Sequence, residues 1–152
     1  MSNVEKLHFK ITLAGTYWKK APKYSIIIDN DVVVSQEVTT PSGESFDVEF
    51  DRDINEGPFV LKIRLENKTD ADVLKDNYDD PNNFTIIGDM LLNIKHVEID
   101  EIDLSNLIYA KSVFNPDSPS RPVLDNCVDL GWNGTWVLES HSPFYLWLLE
   151  NI

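Results

Sequence analysis

In two stretches of this chain, apolar side chains recur at every second position. Leu7, Phe9, Ile11 and Leu13 alternate with His8, Lys10 and Thr12; Phe59, Leu61, Ile63 and Leu65 alternate with Val60, Lys62 and Arg64. A repeat of two places one set of side chains on one face of a strand and the other set on the opposite face. Such a face is stable only when another layer covers it. The pattern therefore predicts an all-β fold, an antiparallel β-sandwich of jelly-roll type.

Further strands are expected over residues 24–28, 32–38, 45–50, 89–100, 133–139 and 144–149. Asp29-Asn30-Asp31 marks a hairpin, because Asn and Asp tolerate positive φ. Residues 51–58 and 115–123 read as loops. The segment 67–83 is the longest polar connection, with a short helical turn expected near 71–75. Within 89–100, Met90, Leu92 and Ile94 share one parity and Val97 and Ile99 the other, the signature of a β-bulge. The turns divide the chain into about eight or nine strands. No helical pattern separates them, which excludes a βαβ architecture. A length of 152 residues suits one domain.

The formal charge of −13 repels phosphate backbones, so nucleic acid is not an expected partner. No apolar run approaches the length of a membrane span. The N-terminal residues lack the basic and apolar regions of a signal peptide. Cys127 is the only cysteine, so no intrachain disulfide can form.

Carboxylates and loop aromatics carry the candidate chemistry. Asp51-Arg52-Asp53-Ile54-Asn55-Glu56-Gly57 has the oxygen spacing of the first half of a calcium loop. Its glycine is one position late and Lys62 stands where a glutamate is required, so a hairpin turn explains it better. Asp70, Asp76, Asp79 and Asp80, with Asp72 and Asp89, could converge into an oxygen cage for calcium; the alternative is a solvated acidic loop. Tyr17, Trp18 and Tyr78 lie in loops, where aromatic rings can stack on sugars. Trp132, Trp136 and Trp147 crowd the C-terminal region and read as core or as exposed rings. Ser140, His141 and Ser142 point to alternate faces of a strand. Without Gly-x-Ser-x-Gly or His-Glu-x-x-His, no enzyme is expected.

Three stretches resemble calcium-dependent xylan-binding carbohydrate modules. Ile28-Asp29-Asn30 holds the place of an early "vDG" hairpin. Glu66-Asn67-Lys68 holds that of a strand ending in Asn-Asp. Asp89-Met90-Leu91-Leu92-Asn93-Ile94-Lys95-His96-Val97-Glu98-Ile99-Asp100 holds that of a later Asp-Arg-Asn-Leu pattern. The resemblance implies a sandwich, a carbohydrate ligand and calcium. Lys68 stands where the family has Asp, and Met90-Leu91 where it has Arg-Asn. The C-terminal Leu130-Gly131-Trp132-Asn133-Gly134-Thr135-Trp136 and Ser142-Pro143-Phe144-Tyr145-Leu146-Trp147 are similar to uncharacterised proteins of marine T4-like bacteriophages. That similarity implies synthesis in a host cytoplasm and a virion as a further location.

These readings converge on a non-catalytic binding module of the carbohydrate-binding kind. Tyr17, Trp18 and Tyr78 would contact ligand, and Asp70, Asp76, Asp79 and Asp80 would hold calcium. The alternative is a structural virion or assembly subunit. It would meet a protein partner, or a second copy in a homo-oligomer, through an apolar strand over 144–149.

Overall fold

The computed structural model describes residues 3–76, 82 and 85–151. The strands are β1 (Val4–Thr16), β2 (Lys23–Ile28), β3 (Asp31–Glu37), β4 (Ser45–Asn55), β5 (Gly57–Leu65), β6 (Leu74–Lys75), β7 (Ile86–Gly88), β8 (Leu91–Ile99), β9 (Ile102–Asp103), β10 (Val113–Pro116), β11 (Leu124–Asp125), β12 (Asp129–Leu130) and β13 (Gly134–Ser142). Among the described residues two α-helices, α1 (Ser105–Lys111) and α2 (Phe144–Asn151), interrupt and follow this series, and a 3-10 turn covers Asp70–Asp72.

All strand pairs described are antiparallel. One sheet has the order β12-β8-β1-β4, with β9 folded back on β8; the other has the order β11-β10-β13-β5-β2-β3. A small two-stranded sheet, β6-β7, stands apart. The alternation read from the sequence is the reason for this layering. Leu7, Phe9, Ile11 and Leu13 of β1 and Leu61, Ile63 and Leu65 of β5 are fully buried in one core shared by both sheets. Phe9 bridges the layers. It stacks on Phe50 of its own sheet at 5.0 Å and meets Phe59 of the opposite sheet edge-on at 6.5 Å. Each such aromatic or aliphatic side chain contributes roughly 1.5–3 kcal/mol on leaving water.

The parity change in β8 is a bulge. Thr12 faces His96 and Leu13 faces Ile94, leaving Lys95 without an opposite residue. Strand β3 carries a second irregularity, since Ile26 faces Val34 and Ile27 faces Val32, which leaves Val33 over. The β2–β3 turn holds Asp29 at φ 55. Asp29 is braced onto β5, its N–H donating to Val60 O at 2.8 Å and its Oδ1 accepting from Val60 N–H at 3.0 Å.

Three expectations are corrected. Residues 51–58 are not a polar turn or hairpin. Strand β4 runs on to Asn55 and the chain then crosses between the sheets at Gly57, whose φ of 118 suits glycine. Asp51 and Asp53 consequently sit on an exposed strand face; Asp51 Oδ1 is 2.6 Å from His8 Nδ1. Hydrogen bonds to Asp51 and then Glu49 hold the His8 imidazole above its ordinary pKa. Second, α1 is a helix the alternation did not announce. Asp103 Oδ1 accepts from the Ser105 N–H at 2.9 Å, and Leu104, Leu107 and Ile108 turn one helical face inward.

Third, the apolar segment 144–149 is helix rather than strand. Pro143 O accepts the Trp147 N–H, and Glu5 Oε1 accepts from the Phe144 N–H at 2.7 Å and the Ser142 hydroxyl at 2.6 Å. That carboxylate satisfies a donor that a helix start leaves open and pins α2 beside β1. Phe144 and Trp147, three residues apart, stack at 5.8 Å against the core. Tyr145, Leu146 and Leu149 point outward, 53%, 59% and 69% exposed.

Candidate functional site

Strands β5 and β10 end, and β8 and β13 begin, at the same end of the sandwich. The segments leaving and entering them enclose a cleft of about 940 Å³. Lys68 and Asp70 come from the segment after β5, Asp89 from the approach to β8, Arg121 from the β10–β11 loop, and Trp132 and Asn133 from the approach to β13.

Asn133 fixes the floor. Its Oδ1 accepts the Lys68 N–H at 2.8 Å and its Nδ2 donates to Lys68 O at 2.9 Å, so the side-chain amide does the work of a neighbouring strand. The Lys68 ammonium turns inward and donates to Asp89 Oδ1 at 2.6 Å and to Gly131 O at 2.5 Å. Asp89 Oδ1 is also held by the Met90 N–H at 2.8 Å. On the far wall, Arg64 grips Asp117 through both guanidinium nitrogens, at 3.1 and 2.7 Å. The Asp117 N–H donates to Asn133 O at 2.9 Å, which ties the β10–β11 loop to the floor. The Arg121 guanidinium lies 4.3 Å over the Trp132 ring. A contact of that kind is worth roughly 0.5–1 kcal/mol at an accessible site.

Charge is nearly balanced here. Lys68, Lys75 and Arg121 face Asp70, Asp89, Asp117 and Asp129 across the cleft, and Arg64 neutralises Asp117 from behind. In a chain of net charge −13, this end of the molecule does not favour a cation or an anion strongly.

The expected site residues scatter. The Tyr17 ring packs on the core, and its hydroxyl donates to Thr40 O at 2.7 Å, away from the cleft. Trp18 is 45% exposed, but its Nε1 donates to Asp72 O at 2.8 Å and its ring covers Gly88. Asp70 lines the cleft. Asp76 instead closes a local pairing, its Oδ1 accepting the Thr85 N–H at 2.7 Å. Tyr78, Asp79 and Asp80 lie outside the described residues. Among the described residues, no three His, Cys, Asp or Glu side chains group closely enough to hold a metal ion. Of the C-terminal tryptophans, Trp136 and Trp147 are core and Trp132 faces the cleft. Arg121 and Asn133 were not anticipated; a Pro- and Ser-rich loop and an Asn-Gly pair are their only traces in the sequence.

Asp72 clasps the approach to the cleft. It is buried, accepts from the Thr69 N–H at 2.7 Å and hydroxyl at 3.0 Å, and lies 3.1 Å from the Lys20 ammonium. Burial opposes its charge, yet these partners outweigh it and hold the carboxyl below its ordinary range. A depressed carboxyl contributes stability above its unfolded pKa, and that contribution disappears as pH falls through the folded value. Asp72→Ala should therefore cost about 2 kcal/mol at neutral pH. The gap between variant and parent should narrow in acid, as urea unfolding at pH 7 and pH 3 would register.

No family model, curated protein or solved structure matches the chain. Among the described residues, no helix is long and apolar enough to cross a membrane.

Proposed function

We propose that this chain is a non-catalytic binding module of the carbohydrate-binding kind, and that the cleft beside Trp132 takes a neutral, hydroxyl-rich ligand. The observation that carries the reading is an aromatic ring held by Arg121 in an open cleft whose charges are matched. A saccharide offers hydroxyls to the surrounding donors and acceptors, and its apolar C–H face meets the Trp132 ring where Arg121 swings aside from it. The polar groups are already fixed by Asn133, Asp89 and Asp117, so little ordering remains to be done on binding. This reading moves the aromatic contact from Tyr17 and Trp18 to Trp132.

The test is calorimetric titration with soluble neutral polysaccharides, xylan first, then mannan and mixed glucan. Binding should be measurable, and Trp132→Ala should weaken it about 30-fold in protein that still unfolds cooperatively, with some loss of stability because the ring also packs on the core. Absence of heat with all three polymers at millimolar sugar would end this reading.

The finer fold class, a jelly roll, is supported by the way the chain shuttles between layers. Strand β1 lies in one sheet, β2 and β3 in the other, β4 back in the first, and β5 in the second. A second functional reading, a structural subunit of a virion, is favoured by the outward Tyr145, Leu146 and Leu149 of α2, which a second copy would cover. Mass in solution separates the two readings.

A further inference from the structure

The Lys68 ammonium is held by two oxygens of the kinds that metal ions take. A carboxylate oxygen and a backbone carbonyl lie 2.6 and 2.5 Å from it, and its side chain is only 10% exposed. Oxygens of these two kinds are what hard cations recruit. The Asn133 amide clamps the Lys68 backbone on both its N–H and its carbonyl, which fixes the point from which the side chain reaches inward. Asp89 is fixed in turn by the Met90 N–H.

We infer that Lys68 is the resident cation of this oxygen-lined site, so that a ligand's hydroxyls are held in the cleft without a metal ion. An ammonium carries three N–H donors. Asp89 and Gly131 take two of them among the described residues, and the third is left for a ligand hydroxyl. A divalent ion cannot take Asp89 Oδ1 and Gly131 O together while the ammonium fills the space between them. The role in ligand binding rests on the cleft being the ligand site. The occupation of the cation position does not, and it is tested without ligand.

Thermal unfolding of the full chain and of Lys68→Ala is followed in tetramethylammonium, ammonium and calcium chlorides at equal ionic strength. The parent midpoint should be the same in all three salts within about 1 °C, as expected when no cation binds the native state selectively. Lys68→Ala should melt about 3–6 °C lower in tetramethylammonium, which is too large for the vacated position. It should recover at least half of that loss in ammonium or calcium. Lys68→Met, which keeps the stem in place, should show the loss without the recovery. The inference fails if calcium raises the parent midpoint by several degrees, if Lys68→Ala responds equally to all three salts, or if it folds in none of them. Titration with xylan in the presence and absence of chelator then reads the binding role: unchanged affinity supports it, and affinity lost to chelator overturns it. No affinity in either arm would count against the saccharide reading and leave the cation result standing.

Discussion

Gly134→Ala should lower stability by about 3 kcal/mol and weaken saccharide binding with it. A β-carbon at this position would lie 2.5 Å from Asn115 O and 2.7 Å from Pro116 Cα, both backbone atoms of β10. No rotamer change relieves such a contact, so β10 must draw away from β13 where Pro116 pairs with Gly134. The loop carrying Asp117 and Arg121 follows directly from that point, and the far wall of the cleft would move with it. Gly131→Ala is the natural control. Its β-carbon would meet only the end of the Leu91 side chain, at 3.2 Å, and should cost less than about 1 kcal/mol. Equal unfolding midpoints for the two variants would contradict the close approach of β10 and β13.

Trp136→Ala should cost about 3–5 kcal/mol, because it empties the largest fully buried side chain of the core. Trp136→Phe should cost far less, below about 1.5 kcal/mol, although it also removes volume. The reason is that the Trp136 indole N–H reaches no acceptor among the described residues. A buried donor without a partner is a standing penalty of about 1–3 kcal/mol, and phenylalanine removes it. Urea denaturation of both variants gives the comparison. A Phe variant as unstable as the Ala variant would mean that the indole nitrogen is paired after all.

Strands β1 and β5 bury one face only, so their alternation survives intact in the sequence. The bulge at Lys95 was legible for the same reason, since an extra residue must flip the parity of whatever follows it. Segment 144–149 was not, because an apolar run without alternation fits a strand buried on both faces as well as a helix. The deciding signals, Pro143 at the entry and the spacing of Phe144 and Trp147, are weak alone. The cleft was almost invisible. Lys68, Asp89, Arg121 and Trp132 come from separate segments, and only the pairing of β5, β10 and β13 in one sheet, with β8 of the other, brings them to one end. Asp70, expected as a calcium ligand, lines the cleft, while Arg121 and Asn133 had no spacing rule to betray them.

Both sheets are open, and an open sheet is a template on which a stray extended chain can grow. The outermost strand of one sheet, β4, presents Asp47, Glu49, Asp51 and Asp53 along its solvent side, a row of like charge that an incoming strand would have to bury or neutralise. The outermost long strand of the other, β3, has no such row, and Val32 stands 60% exposed on it. There the unmatched Val33 breaks the regular ladder that a newcomer would need to copy. The molecule thus resists runaway stacking along β4 and β3 by different means, electrostatic at the first and geometric at the second.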